Sequence, residues 1–254
     1  MRTVGDINPK TTTYNIGMKG IKKSIIVCCI AVAFVFSAAI GLCVSALYAP
    51  QEVFATGGEL KILLDAGHGG IDGGVTGKKT GAKESDINLQ ITFALKAELE
   101  EKGFTVALTR KTAEGLYDTT AKGFKKRDMQ RRKEIIEKEK PLMVISIHQN
   151  YYASQSQRGA QVFYGENHPK SRSLATLLQT NLNALYEKQG VKNRKSAFGD
   201  YFMLKCYSAP AVIVECGFLS SPADEALLVD TAWQKTLAKG IAEGVLNYFT
   251  DLTA

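Results

Sequence analysis

The chain has 254 residues, of which 45% are hydrophobic and 22% are charged. This length suits one folded domain of about 150 to 200 residues with a non-globular segment, and the composition excludes an intrinsically disordered chain. The formal net charge is +7, and residues 1–23 contribute +4 of it. A nucleic-acid-binding domain concentrates positive charge on its folded part, so the +3 left for the rest of the chain argues against a nucleic-acid partner.

The N-terminal region contains a long apolar segment. No charged residue occurs between Lys23 and Glu52, and residues 25–48 supply the ~20 apolar positions that a bilayer-spanning helix requires. Lysines precede the segment, so residues 1–23 are predicted to lie in the cytoplasm and the rest of the chain outside it. We predict a transmembrane anchor over 24–49. The alternative is a cleaved signal peptide with an unusually long apolar region, which would make the protein secreted.

A linker over 50–59 precedes a folded domain over 60–252, in which apolar strand-like runs alternate with helix-like periodicity. The predicted elements, in chain order, are strand 61–65, a glycine-rich loop over 67–81, helix 86–102, strand 104–109, helix 128–140, strand 142–147, strand 161–164, helix 170–188, strand 211–215 and helix 231–249. Strands that are apolar throughout and separated by helices indicate an α/β fold. We predict a mostly parallel central sheet with helices on both faces, preceded by the N-terminal transmembrane helix.

Cysteine spacing gives no metal signal. Cys206 and Cys216 are the cysteines that follow the apolar segment, and no CxxC pair occurs. We predict that both are free thiols, with one bridge between them as the alternative.

Polar residues occur where the apolar strands of the predicted sheet end. His68 follows the first strand closely, His148 ends the strand over 142–147, and Glu215 ends the run AVIVE. Ligands of open α/β sheets bind outside the carboxyl ends of the strands, so we expect these side chains at one edge of the sheet. Glu84 ends the glycine-rich loop and is placed to fold back over the same edge.

These residue types predict a hydrolytic zinc site. Two imidazoles and one carboxylate, here His68, His148 and Glu84, form a common catalytic zinc set that leaves a fourth position for water. A second carboxylate must then take the proton of the water and deliver it to the leaving nitrogen, and Glu215 is placed for this role. We therefore predict one Zn²⁺ per chain.

Structural interpretations of the same residues remain open. A lone histidine is more often structural than a ligand, and Glu84 alone could be an acid favoured at a helix N-terminus. Glu215 is harder to explain in this way, because a carboxylate that ends an apolar strand is costly to desolvate without a partner.

Several segments, taken together and in this order, resemble the zinc-dependent N-acetylmuramoyl-L-alanine amidases of the Amidase_3 family: DAGHGGIDGG at 65–74, Glu84, LTR at 108–110, ISIHQN at 145–150 and VECGFLSSPADEALL at 214–228. The resemblance implies that His68, Glu84 and His148 are zinc ligands and that Glu215 is the catalytic glutamate. It also implies that Asn150 and Arg194 are substrate-side polar residues. The expected reaction is hydrolysis of the amide between N-acetylmuramic acid and L-alanine in peptidoglycan.

The N-terminal anchor and the stretch GAQVFYGENHPKS resemble the subgroup that modifies spore-cortex peptidoglycan, where muramic δ-lactam is formed. Vegetative wall remodelling is the alternative role, and control by a separate activator protein is a further expectation. Two other functions remain as alternatives: a non-catalytic peptidoglycan-binding module, and a zinc peptidase of different specificity.

Overall fold

The computed structural model describes residues 60–253. The predicted cytoplasmic tail, transmembrane segment and linker, residues 1–59, lie outside the described residues. Among the described helices, none is long and apolar enough to cross a membrane.

Strands and helices alternate along most of the described chain. The strands are β1 (Lys61–Ala66), β2 (Thr105–Leu108), β3 (Met143–Asn150), β4 (Gln161–Tyr164), β5 (Ala197–Phe198) and β6 (Ala211–Phe218). The helices are α1 (Glu84–Glu101), α2 (Phe124–Glu139), α3 (Ser171–Glu187), α4 (Pro222–Leu228) and α5 (Thr231–Thr253), with a short 3₁₀ helix at Phe202–Leu204.

The six strands form one mixed, mostly parallel sheet in the order β2-β1-β3-β6-β4-β5. Strands β2, β1, β3 and β6 run parallel, as predicted, whereas β4 is antiparallel to β6 and β5 is parallel to β4. The reversal follows from the connection before β4. A parallel return requires a crossover of a dozen or more residues, usually a helix, and residues 151–160 contain none.

Both faces of the sheet are covered, which explains the uninterrupted apolar runs of its strands. In β1, Ile62 and Leu64 belong to the core beneath α1, α3 and α5, while Leu63 belongs to the core beneath α2 and the 3₁₀ helix. Because successive strand residues point to opposite faces, a strand covered on both sides has a nearly continuous apolar sequence. The prediction of an α/β fold is confirmed.

Helix α1 follows its sequence signals closely. Ile87, Ile91, Leu95 and Leu99 lie one turn apart and are buried against the sheet. The chain leaves the helix at Gly103, whose φ of 88° is readily adopted by glycine. The helix begins at Glu84 and not at the predicted Asp86, which makes Glu84 its first residue.

The register of the parallel strands determines which residues meet at the edge. Asp65 of β1 lies opposite Ser146 of β3, and His148 of β3 lies opposite Glu215 of β6. The register shifts between His148 and Asn150. The carboxyl ends of three strands therefore bring a set of polar side chains to one edge.

Candidate metal and active site

His68, Glu84 and His148 form a compact cluster at this edge. One ligand atom from each residue lies within 4.8 Å of the others. The Oε1 atom of Glu84 is 3.3 Å from Nε2 of His68 and 3.0 Å from Nδ1 of His148. The two imidazole rings meet edge to face, with centroids 5.1 Å apart. The structure thus brings together the three residues that the sequence predicted as ligands.

Glu84 is a buried carboxylate that the backbone holds in one orientation. Its Oε2 accepts a hydrogen bond from the Val75 amide at 2.9 Å, and its Oε1 accepts one from the Gln149 amide at 3.1 Å. Burial by itself raises the pKa of Glu84, but His148 and His68 outweigh burial and hold that pKa well below its usual range. The group is therefore ionised and fixed before any ligand binds.

Two glycines give the ligands the space they need. A Cβ at Gly67 would lie 2.2 Å from Cε1 of His148, and a Cβ at Gly74 would lie 2.4 Å from Oε2 of Glu84. Gly74 also has a φ of 68°. The glycine-rich loop is therefore required by close approach to two predicted ligands as well as by its own turns.

His68 itself adopts a left-handed backbone conformation, with a φ of 61°. This conformation is uncommon for a residue with a side chain and persists where neighbouring groups hold it. Its Nδ1 lies 3.0 Å from Oδ2 of Asp72, and Oδ1 of Asp72 lies 3.0 Å from Nζ of Lys125 on α2. With Nδ1–H donated to Asp72, the other ring nitrogen, Nε2, faces Glu84 and is the atom that would bind a metal ion held between the two residues.

A buried arginine holds the backbone beneath His68. Arg132 of α2 donates to the carbonyl oxygen of His68 at 2.7 Å and to that of Ala66 at 2.8 Å. Its charge is balanced by Asp65 at 2.5 Å and by Asp128 at 2.6 Å. Burial by itself raises the pKa of Asp65, yet Arg132 and two hydroxyl donors lower it to about 2. The resulting ion network lies at the base of the glycine-rich loop.

A second buried arginine holds the other side of the loop. Arg110 donates to the carbonyl oxygens of Ala66 at 2.9 Å, Gly67 at 3.1 Å and Ser85 at 2.7 Å. It ties the loop to the first turn of α1. This explains the arginine of the LTR segment, for which the sequence suggested no role.

Glu215 lies beside the cluster as an unpaired carboxyl group. It is opposite His148 in the register of β3 and β6, and its Oε2 is buried without a hydrogen-bond partner in the described structure. Burial, with a smaller contribution from Glu84, raises the pKa of Glu215 to about 7 although His148 and His68 oppose the shift. A carboxyl group with this pKa can both accept and release a proton near neutral pH.

The two predicted substrate-side residues lie outside the cluster. Oδ1 of Asn150 accepts a hydrogen bond from the Tyr151 amide at 2.8 Å. The guanidinium of Arg194 lies 5.1 Å from the ring centroid of Phe218 and donates to Oε1 of Gln157 at 2.8 Å. Both residues lie near the strand ends beyond His148 and Glu215, and a role in substrate binding stays a prediction. Cys206 and Cys216 are free thiols, as predicted.

Sequence reasoning missed the residues that support His68. Asp72 is contained in the GGIDGG loop, where the pattern indicates only a turn. Lys125, Asp128 and Arg132 lie on a helix whose charges suggest a solvated surface, but their spacing of three and four residues puts them on one face. This row of charged residues on one helix face, followed by a buried strand, could have indicated that the face packs against the sheet.

The donor set fits a catalytic metal ion. Two imidazoles and one carboxylate converge, and the ring nitrogen of His68 that faces away from Glu84 has a carboxylate partner. An acidic group without a hydrogen-bond partner lies beside them. Carboxylate partners of this kind orient histidine ligands in metalloproteins, and two histidines with one glutamate are typical of hydrolytic zinc sites. The fold and the site define a hydrolase of the α/β class, with a three-residue cluster that fits a metal ion.

Comparison with known proteins identifies the family. Residues 62–247 match the family described as Amidase_3, N-acetylmuramoyl-L-alanine amidase, and the chain belongs to this family. Its members hydrolyse the amide bond between N-acetylmuramic acid and L-alanine in peptidoglycan, and this chain is an enzyme of that class.

Two relatives illustrate the similarity. The germination-specific N-acetylmuramoyl-L-alanine amidase of Bacillus subtilis is 34% identical over 193 residues, which cover 75% of this chain and 80% of the relative. The CwlD amidase of Clostridioides difficile, solved in complex with the GerS lipoprotein, is 35% identical with a TM-score of 0.72. That match covers 76% of this chain and 100% of the solved chain.

A further solved structure shares the fold. The catalytic domain of CwlV, an N-acetylmuramoyl-L-alanine amidase from Bacillus (Paenibacillus) polymyxa var. colistinus, is 26% identical with a TM-score of 0.64. The match covers 75% of this chain and 98% of that domain.

Proposed function

We propose that this amidase uses one zinc ion, held by His68, Glu84 and His148, and that Glu215 transfers the protons of the reaction. The observation that carries the proposal is the arrangement at the edge of the sheet. Three ligand atoms converge within 4.8 Å, and a carboxyl group without a hydrogen-bond partner lies beside them.

When bound, zinc supplies a Lewis acid that polarises the scissile carbonyl and makes the attacking water more acidic. Glu215 accepts one proton from this water as the oxygen attacks the carbonyl carbon. Glu215 then gives that proton to the nitrogen of L-alanine as the carbon–nitrogen bond breaks. The products are the free lactyl carboxylate of the muramic acid and a stem peptide with a new amino terminus. A carboxyl group that is buried without a hydrogen-bond partner among the described residues is free to accept and donate the proton in one cycle.

Asp72 and Arg132 keep His68 in position during this cycle. Asp72 accepts the Nδ1–H hydrogen bond, and Arg132 holds the His68 carbonyl oxygen. Neither residue needs to touch the substrate. They keep the His68 imidazole in the same orientation when the attacking water loses its proton.

We further propose that the enzyme acts outside the cytoplasm on spore-cortex peptidoglycan, carried by a membrane anchor over 24–49. The similarity to the germination-specific amidase of Bacillus subtilis supports this role. The solved complex of CwlD with a lipoprotein supports an activator protein as partner. Remodelling of the vegetative wall is the alternative for the same chemistry.

Mass spectrometry of digested peptidoglycan tests the proposal. The full-length, zinc-loaded protein is incubated with cortex and with vegetative peptidoglycan, beside the Glu215→Gln variant. We expect free stem peptides that begin with L-alanine, absent with the variant and after chelation. Fragments cut within the peptide would establish a peptidase, and intact wall that retains the protein would establish a binding module. The preferred peptidoglycan decides between the cortex and the vegetative role.

A further inference from the structure

We propose that the substrate lies across the site in one direction, with the muramic acid sugar in an aromatic cavity on one side and the anionic stem peptide against a basic cavity on the other. This inference rests on the proposed function and adds the residues that recognise the two halves of the substrate. The inference is based on two cavities of different chemistry.

The first cavity, called here the aromatic cavity, has a volume of about 280 Å³ and is bounded on one side by His68 and His148. Its wall includes a group of aromatic and methionine side chains: Tyr117, Phe124, Met129, Tyr201, Phe202 and Met203. This volume lies just below the ~300–1,000 Å³ typical of ligand pockets. It therefore suits one ring-sized group better than a peptide of several residues.

Two aromatic side chains stand at the rim of the aromatic cavity and are exposed to solvent. Tyr201 is 45% exposed and Phe202 is 43% exposed. The Tyr201 ring packs edge to face against Phe163, with centroids 5.5 Å apart, and also against Gly199, where a Cβ would lie 2.5 Å from the ring. Exposed aromatic rings present flat apolar faces to which the C–H face of a pyranose can pack.

Both the lysine and the arginine that line the aromatic cavity are paired with carboxylates of the same lining, which has three carboxylates for two such cations. Asp72 pairs with Lys125, and Arg132 pairs with both Asp65 and Asp128. Among the described residues of this lining, no lysine or arginine is left unpaired for a ligand carboxylate. The cavity is consequently matched to an uncharged ligand, which describes the N-acetylated sugar and not the stem peptide.

The second cavity, called here the basic cavity, has the opposite character. Its volume is about 430 Å³, and the described residues that line it include Arg158, Lys192 and Arg194 but no acidic residue. Arg158 is committed to the buried Asp224 at 2.9 Å. Lys192 is exposed and makes no hydrogen bond or ion pair with the described residues. The cavity therefore offers positive charge to an anion.

The two cavities lie on opposite sides of Glu215 along β6. Ile213 lines the aromatic cavity and precedes Glu215 by two residues. Phe218, three residues beyond Glu215, carries the guanidinium of Arg194 from the basic cavity over its ring. At ~3.3 Å per strand residue, Phe218 lies about 10 Å past Glu215.

The chemistry of the substrate has the same asymmetry. The amide that is cut joins a neutral sugar derivative to a peptide, and the second residue of that peptide, D-glutamate, carries a free α-carboxylate. An extended chain spans ~3.3–3.6 Å per residue, so this carboxylate and those beyond it lie about 7 Å or more from the scissile bond. This distance from the scissile bond is compatible with the distance from Glu215 to the basic cavity, which is lined by Lys192 and Arg194.

Binding to matched ligands tests the assignment without relying on turnover. Three ligands are titrated by calorimetry into the zinc-loaded, full-length Glu215→Gln protein. They are N-acetylmuramoyl-L-Ala-γ-D-Glu-L-Lys, the same compound with the glutamate α-carboxylate as an amide, and the D-lactyl tripeptide that lacks the sugar ring. The Lys192→Ala and Phe202→Ala changes are each added to this protein.

We expect each change to affect one half of the substrate. Lys192→Ala weakens binding of the free-acid ligand about fivefold, the upper end for an exposed ion pair, and leaves the amidated ligand unchanged. Phe202→Ala weakens both sugar-containing ligands about tenfold and leaves the lactyl peptide unchanged.

Two changes at remote sites serve as controls. Lys235→Ala removes an exposed lysine of α5, and Leu142→Ala removes a side chain that is also 43% exposed but precedes β3 at the other edge of the sheet. Neither change is expected to alter binding of any ligand. Zinc content and circular dichroism are measured for every variant to check that it is folded and zinc-loaded.

Several results would overturn the assignment: reversed sensitivities, equal effects of each change on all ligands, or no binding of the sugar-containing ligands. Turnover of the unaltered protein is assayed separately on the free-acid compound. Lack of cleavage with the expected binding pattern would contradict the proposed reaction alone. Cleavage without that pattern would contradict the assignment of the two cavities alone.

Discussion

Asp72 and His68 form a hydrogen-bonded pair, with Oδ2 of Asp72 3.0 Å from Nδ1 of His68, while Lys125 holds the other oxygen of the same carboxylate at 3.0 Å. Because Asp72 accepts from Nδ1, the opposite nitrogen of His68 is kept free to donate its lone pair to a metal ion. The interaction therefore links helix α2, which carries Lys125, to a proposed zinc ligand.

We expect Asp72→Ala to weaken zinc binding about 10- to 100-fold, because the imidazole loses the partner that fixes its tautomer and orientation. Competition with a chromophoric chelator measures the zinc dissociation constant of the full-length protein. Asp118→Ala is the matched control, since Asp118 belongs to the following loop and its side chain is 74% exposed. Equal zinc affinities of the two variants would remove Asp72 from the site.

His148→Ala should remove bound zinc, whereas Glu215→Gln should retain it. His148 contributes one of the three converging donor atoms, while Glu215 is proposed to transfer protons and not to bind the metal. For Glu215→Gln we expect a loss of about 10²–10⁴-fold in kcat, the range of general acid–base catalysis. Zinc per chain by mass spectrometry and turnover on the muramoyl tripeptide are measured in parallel. Loss of zinc in Glu215→Gln would contradict the proposed role of Glu215, and retention of zinc in His148→Ala would contradict that of His148.

The pKa of Glu215 leads to a pH-dependent effect on the stability of the metal-free protein. Burial raises this pKa from 4.5 to about 7, so the folded state binds the proton more tightly than the unfolded state does. Ionised Glu215 therefore destabilises the fold progressively as the pH rises from about 4.5 to about 7, and the destabilisation is complete above that range.

We expect Glu215→Gln to stabilise the chelator-treated protein by up to about 3 kcal/mol at pH 8 and to have little effect at pH 4. Urea denaturation at the two pH values gives the free energies of unfolding. Zinc places a positive charge beside the carboxylate, so the benefit at pH 8 should shrink in the loaded protein. A stabilisation that is the same at both pH values would show that Glu215 is not the titrating group.

Much of the fold, and the cluster of His68, Glu84 and His148, could be predicted from the sequence, because both depend on local patterns. The apolar strands and the helical spacing of Ile87 to Leu99 set the elements, and His68, His148 and Glu215 follow from the rule that parallel strands present their carboxyl ends together. The antiparallel direction of β4 had no comparable signal, since a short strand reads the same in either direction.

The support beneath His68 could not be derived in the same way. Arg132 and Asp65 are separated by 67 residues in the chain, and only the packing of α2 against β1 brings them to 2.5 Å. On the sequence, Arg132 is one of several basic residues in a charged helix. Burial of one of them depends on the angle at which the helix crosses the sheet, which periodicity does not determine.

Arg132→Ala should destabilise the protein by about 3–5 kcal/mol, because it leaves two buried carboxylates, Asp65 and Asp128, without their cation. Arg131→Ala is the adjacent control, since the Arg131 side chain is 62% exposed, and we expect a change within about 0.5 kcal/mol. Urea denaturation at pH 7 measures both. Similar free energies of unfolding for the two variants would contradict a buried ion network.

The low pKa of Asp65 gives this destabilisation a pH dependence. In the folded protein Asp65 has a pKa of about 2, below its ordinary value of 3.8, so its ionised form stabilises the fold above about pH 4. That contribution is lost as the pH falls from about 4 to about 2. The difference in unfolding free energy between the unaltered protein and Arg132→Ala should therefore narrow over this range.

Gly67→Ala should weaken zinc binding through sterics alone. A Cβ at this position would lie 2.2 Å from Cε1 and 2.3 Å from Nε2 of His148, which is closer than real Cβ contacts, so the imidazole must leave its present position. Gly103→Ala is the control, because Gly103 has a φ of 88° but a methyl group added there would meet nothing within 4 Å. We expect Gly103→Ala to cost about 1 kcal/mol of stability from backbone strain and to leave the zinc dissociation constant unchanged. Unchanged zinc affinity in Gly67→Ala would contradict the assignment of His148 as a ligand.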